Sequence, residues 1–194
     1  DRMPASGDVL VVLVPEGVST PALSGWSRAT RDHLSRAIAA GGFTPTAGAE
    51  LEVLAPVGLD FGRLILLGVG KVGSTERYRA ELIGASLSAR LNTIDAKTVV
   101  VSSALLEATE AAAALTAAVA HGLDLRNYRF DRYLSNARPR PAQAFTWQSS
   151  NPNRAEEQYR VFRALAEGVF TARELTNLPG RDGYPKAFAE FARA

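Results

Sequence analysis

Three stretches of the chain are apolar with no charged residue among them: residues 9–14, 64–69 and 99–101. A strand with one wet face alternates apolar and polar side chains, whereas unbroken β-branched runs suit strands covered on both faces. Residues 9–14, 63–69 and 98–101 are predicted as such buried strands, with shorter strands at 51–54 and 144–147. Between them the apolar period lengthens to that of a helix. Leu34, Ala37 and Ile38 share one face of a helix over residues 26–40, ended by Gly41 and Gly42. Ala80, Ile83, Leu87 and Leu91 share a face of a second helix, with Ser74 or Thr75 as its cap. An alanine-rich helix over residues 104–121 is expected to stop at Gly122. The last long helix covers residues 154–177, where Val161, Leu165, Val169, Ala172 and Leu175 recur at spacings of four and three.

Strands and helices alternate, which predicts an α/β fold: a three-layer sandwich on a mostly parallel or mixed sheet, followed by a long linker helix. The expected organisation is an α/β domain over residues 1–150, a linker helix over 151–178, and a short further segment over 179–194. Residues 138–141 and 149–153 are candidate loops, and Asn151-Pro152 suits the start of the linker helix. Gly168 lies inside that helix and weakens it by roughly 1 kcal/mol relative to Ala.

Composition narrows the function classes. With 194 residues, 46% hydrophobic and 22% charged, the chain has the make-up of a globular protein with one sizeable core. No apolar run approaches the roughly 20 residues of a membrane span, and Asp1, Arg2, Met3 and Pro4 do not open a secretory leader. The absence of an initial Met leads us to expect a trimmed or replaced start. Zero Cys excludes disulfides and thiol nucleophiles and fits a cytoplasmic location. A net charge of +2 gives no strong drive toward nucleic acid or membrane.

Candidate chemistry is sparse. His33 and His121 are the only histidines. His33, among Arg31, Asp32 and Arg36, is expected at a solvated or half-buried position. His121 is expected to complement a helix C-terminus. Glu156 and Glu157 are adjacent and point to different helix faces, so they do not form a carboxylate pair. Gly68, Gly70 and Gly73 make a glycine-rich loop between a strand and a helix, where backbone amides can cradle phosphate. Its spacing matches no nucleotide fingerprint, and turn geometry explains it. Arg126, Arg129, Arg132, Arg138 and Arg140 interleave with Tyr128, Phe130 and Tyr133; five arginines against Asp131 leave a local charge of +4. Such interleaving can bind DNA. The alternative is aromatics in the core, with arginines solvated or paired to Asp124 and Asp131.

Several stretches, in order, resemble the cytosol (leucyl) aminopeptidase family: residues 63–71, 78–91, His121-Gly122 through Phe130-Asp131 and Tyr133, and Thr171 through Pro179. The last is similar to the entry of that family's catalytic domain. After Pro179-Gly180, Arg181-Asp182-Gly183 stands where the family has an Asn and apolar residues. The resemblance implies an N-terminal domain with a sandwich similar to macro domains, then the truncated start of a catalytic domain. It also implies two divalent metals, zinc or manganese, in that catalytic domain, peptide substrates, and a homo-oligomer, usually a hexamer. Motifs rich in Asp-Thr-Gly-Gly, Met-Lys-x-Asp and Asn-Thr-Asp-Ala-Glu-Gly-Arg carry the family's ligands, and none occurs in this sequence. No residue is therefore assigned as catalytic, metal-binding or cofactor-binding. The expected role of the chain is assembly, with exposed apolar surface on the helices of residues 154–191. The alternative is a DNA- or nucleotide-binding regulatory module.

Overall fold

The computed structural model describes residues 6–94, 96–136 and 143–193. Within them β1 (Ser6–Pro15), β2 (Glu50–Leu54), β3 (Asp60–Gly70), β4 (Thr98–Ser102) and β5 (Ala144–Gln148) form one sheet in the order β2-β3-β1-β4-β5. The first strand in sequence becomes the middle of the sheet, parallel to β3 on one side and β4 on the other. β5 continues the parallel set beyond β4, and β2 closes the opposite edge antiparallel to β3.

Period-two geometry divides the unbroken apolar runs between two cores. Val9, Val11, Leu13, Ile65, Leu67, Val99 and Val101 face α2 (Arg77–Thr93) and α3 (Glu110–Asn127). Leu10, Val12, Val14, Leu64, Leu66 and Val100 face α1 (Arg28–Gly41), meeting Leu34 and Trp26. The result is the expected three-layer α/β arrangement on a mixed sheet. Each such Leu or Val taken fully out of water contributes about 1.5–3 kcal/mol, so a charge at Val11 would break the core under α2 and α3, and one at Leu10 or Val12 the core under α1.

Helix boundaries depart from the sequence pattern in instructive ways. Ser27 caps α1 by accepting from the Thr30 amide at 3.1 Å, and Gly42 ends it in the left-handed region at φ 61°. Neither Ser74 nor Thr75 caps α2; the Thr75 hydroxyl donates to the Val69 and Lys71 carbonyls, both at 3.0 Å. α3 begins at Glu110, not at residue 104, because Thr109 accepts from the Ala112 amide at 3.2 Å while residues 103–106 fold into a turn.

Gly122 does not stop α3, which runs on to Asn127. It lets α2 and α3 touch backbone to backbone. A Cβ at Gly122 would lie 1.9 Å from the Glu81 carbonyl oxygen, and one at Gly84 would lie 1.9 Å from that of Val119.

α4 (Pro152–Asn177) opens as expected, with Asn151 accepting from the Arg154 amide at 3.4 Å and Pro152 in the first turn. It then carries two apolar stripes. Ala155, Tyr159, Phe162, Ala166 and Phe170 make up the more buried stripe, whose Tyr159 and Phe162 meet α3. The stripe read from the sequence lies elsewhere on the helix, with Val161 64% and Leu165 47% exposed. α5 (Pro185–Phe191) follows and exposes Phe188 and Phe191.

Candidate functional site

The richest chemistry lies where α3, β5 and α4 meet. His121 is 3% exposed and stacks on Phe162 of α4, with ring centroids 4.9 Å apart. It sits in the body of α3, so it does not cap a helix end. Burial pushes its pKa below the ordinary value, with Arg77 adding to that effect against Glu81 and Asp124. A neutral imidazole is a flat, weakly polar surface that a phenyl ring can cover. One turn further along, Asp124 accepts the hydroxyl of Tyr159. Burial raises the Asp124 carboxyl above its ordinary value, and the Tyr159 hydrogen bond and His121 only partly offset this. The pair is separated by 35 residues, so no local motif announces it. A cavity of about 400 Å³ opens beside it, walled by Phe145 and Trp147 of β5.

A polar clasp fixes α4 on α3 at one end. Arg154 holds Glu110 and Glu157, and Gln158 donates to Glu110 at 2.6 Å. Glu156 pairs with Arg160 at 3.3 Å. The two adjacent glutamates thus serve separate ion pairs, as different helix faces require.

The basic aromatic segment is spent on internal contacts. Tyr128 stacks on Phe170 at 5.4 Å and donates to Glu174 at 3.0 Å. Arg173 lies over the Tyr128 ring and donates to the Leu125 carbonyl at 2.6 Å. Tyr133 donates to Asp182 at 2.6 Å, with Arg132 and Arg181 each 5.8 Å from its ring. Arg129 pairs with Asp131 at 3.5 Å, as weighed from the sequence, but Asp124 takes Tyr159 in place of an arginine. Arg138 and Arg140, and the loop at 138–141, lie outside the described residues. The two tyrosines that could stack on bases instead tie this segment to α4 and to the turn after it. Nothing here supports DNA binding.

The glycine-rich loop is likewise explained by packing. A Cβ at Gly68 would lie 2.2 Å from the Thr46 carbonyl oxygen. The amides of Gly68 and Gly70 donate to Ala49 and Pro45, and those of Ser74 and Thr75 to Lys71. Those four donors are not available to a phosphate. His33 is half-buried on α1.

A two-metal centre needs several oxygen or nitrogen ligands converging on ions about 3.5–4 Å apart. Among the described residues no group of three or more His, Asp or Glu side chains is placed to hold a metal ion. These residues do not fit such a centre, and no catalytic step is assigned to them. No helix among the described residues is long and apolar enough to cross a membrane.

Comparison with known proteins gives this α/β domain its family. The cytosol aminopeptidase family, N-terminal domain, matches residues 7–137. "Probable cytosol aminopeptidase 1" of Shewanella oneidensis is 29% identical over 192 residues, covering 99% of this chain and 37% of that relative. "Probable cytosol aminopeptidase" of Caulobacter vibrioides is 32% identical over 197 residues, covering 100% and 39%. This chain thus spans about two fifths of each of those relatives. Among solved structures, a tomato leucine aminopeptidase mutant matches with a TM-score of 0.74 at 19% identity, over 97% of this chain and 39% of that one. The bottromycin maturation enzyme in complex with Mn matches at 0.68 and 23% identity, over 97% and 36%. At those identities the two structures speak to the fold alone. With the family matched across most of the chain, the protein belongs to the cytosol aminopeptidase family, and residues 7–137 are its N-terminal domain.

Proposed function

We propose that this chain is the non-catalytic part of a metallo-aminopeptidase that removes N-terminal amino acids from peptides in the cytoplasm. The α/β domain spans residues 1–150, α4 with its flanks acts as the linker over 151–178, and residues 179–194 begin the catalytic domain. No residue of this chain serves as a catalytic group, metal ligand or cofactor ligand. The metals, zinc or manganese, are held by the catalytic domain. The chain serves assembly of a homo-oligomer, a hexamer as in the family.

The observation that carries this reading is the second apolar stripe of α4. Its first stripe already packs on α3, yet Val161 and Leu165 stand 64% and 47% exposed, and Tyr184, Phe188 and Phe191 beyond it are each about half exposed. Exposed apolar side chains concentrated on one segment mark an interaction surface. Domain docking and subunit contact both use such surface.

The test begins with the native protein in its source cell, detected with an antibody to this chain. A species well above 20.7 kDa is expected. That polypeptide should release leucine from leucyl-p-nitroanilide with manganese or zinc, and Val161→Lys/Leu165→Lys should lower its assembly state in light scattering. A native mass of 20.7 kDa, or a longer polypeptide with no such activity, refutes the proposal.

A further inference from the structure

The cavity between α3, β5 and α4, about 400 Å³, has a chemistry that assembly does not use. Its walls are mainly apolar, with Leu123 from α3, Phe145 and Trp147 from β5 and Ala155 from α4, while Thr116, Ser149 and Tyr159 add hydroxyl groups. One carboxylate stands among them. Asp124 Oδ2 accepts the Tyr159 hydroxyl, whereas among the described residues Oδ1 accepts no hydrogen bond. Among the described residues no Lys or Arg pairs with Asp124, and burial holds its carboxyl above the ordinary value. Glu156, already paired with Arg160, adds a second negative charge at the rim.

A half-buried carboxylate without a counter-charge destabilises the fold that contains it. Its presence is explained when a ligand brings the cation. The walls favour the same class of ligand, because aromatic rings attract cations over their faces and bury hydrocarbon. An anionic ligand would meet two carboxylates and no guanidinium free to receive it. A bare metal ion would find two carboxylates, one of them already paired with Arg160, and among the described residues no third His, Asp or Glu completes a set of ligands.

We infer that this cavity binds a small organic ammonium ion with an apolar body, its N–H groups donated to Asp124 Oδ1 and its hydrocarbon laid against Trp147, Phe145 and Leu123. The volume lies at the low end of ligand pockets, about 300–1,000 Å³, and suits an arylalkylamine better than a peptide of several residues. The inference goes beyond the assembly role and does not depend on it, since every residue concerned belongs to this chain.

The experiment titrates the 194-residue chain with phenethylamine, followed by calorimetry and by tryptophan emission. Trp147 lines the cavity, whereas Trp26 is buried in the opposite core and acts as a silent background. Saturable binding with Kd on the order of 1 mM is expected for so small a ligand. The neutral isostere 2-phenylethanol and the anion 3-phenylpropionate should bind about tenfold more weakly or worse, and Asp124→Asn should weaken the amine by a similar factor. Ala117→Leu fills the cavity from α3 about two helical turns away from Asp124. It should abolish binding with the circular dichroism spectrum retained, which keeps the test decisive if Asp124→Asn unfolds. Equal binding of amine and alcohol, tighter binding of the acid, or no saturable binding by the parent chain overturns the inference.

Discussion

The same substitution, Gly→Ala, is expected to have opposite signs at two places in this protein. In α2 and α3 the added Cβ at Gly84 or Gly122 falls 1.9 Å from a carbonyl oxygen of the facing helix, and the next nearest atoms are also backbone. Ordinary contact begins at 3.4 Å, so the helices must part by about 1.5 Å, the difference between the two distances. No rotamer change relieves a backbone clash. The separation loosens the contacts of Ile83 and Leu87 with Val119 and Leu123 in the larger core. Overpacking costs about 1–3 kcal/mol where side chains can adjust, and here they cannot, so the upper end applies. Alanine returns up to about 1 kcal/mol of helix propensity. The net is a destabilisation of about 2 kcal/mol, or a Tm lower by roughly 4–8 °C for a chain of this size. At Gly168 on α4 an added Cβ meets nothing within 4 Å, and the propensity gain stands alone: about 0.5–1 kcal/mol of stabilisation. Thermal melts of the three variants beside the parent decide the matter. A Gly122→Ala melt at or above the parent's would refute the close-crossing account. A Gly168→Ala melt below it would show that α4 is more crowded than its exposure indicates.

Glu52 bridges Arg63 at 2.7 Å and Arg90 at 2.6 Å; burial opposes its ionisation, but the two arginines prevail and hold its pKa below 4.5. Its contribution is therefore full above pH 4.5 and lost as pH falls through the lowered value, so Glu52→Gln should cost about 1 kcal/mol in urea unfolding at pH 7 and progressively less as the pH is lowered from 4.5. Asp124 has the opposite sign: with its folded pKa raised above 3.8, the ionised form strains the fold, so Asp124→Asn should melt higher than the parent at pH 7, and the gain should vanish on acidification below 3.8. A lower melt at pH 7 would mean that Tyr159 depends on the charge. Val161→Lys/Leu165→Lys should leave the unfolding free energy of this chain within about 0.5 kcal/mol per site, because both side chains are exposed; a larger loss would place that stripe inside the fold.

The sequence by itself determined the layers of this protein and its family. Unbroken runs such as residues 9–14 have no polar side chain to offer water, so the strands they form must be covered on both faces, and α/β alternation follows. A mostly parallel or mixed sheet and the long helix α4 were legible from the same pattern, whereas the central place of β1 was not. The lack of the family's ligand motifs is the ground for the expectation that no residue here is a metal ligand.

What only the tertiary structure decided concerns approach and pairing at a distance. Gly122 reads locally as a stop, because a glycine after an alanine-rich helix weakens it; the close crossing with α2 makes it the one residue that fits. His121 reads as a cap for the same reason and is instead a covered ring beneath Phe162. α4 has two apolar stripes at helical spacing, and periodicity cannot tell which one a neighbouring helix will take. Asp124 and Tyr159 meet across 35 residues, and the cavity beside them is walled by a third element. Local pattern encodes which faces must leave water. Which faces meet, and what space remains between them, is set by the packing of whole helices on the sheet.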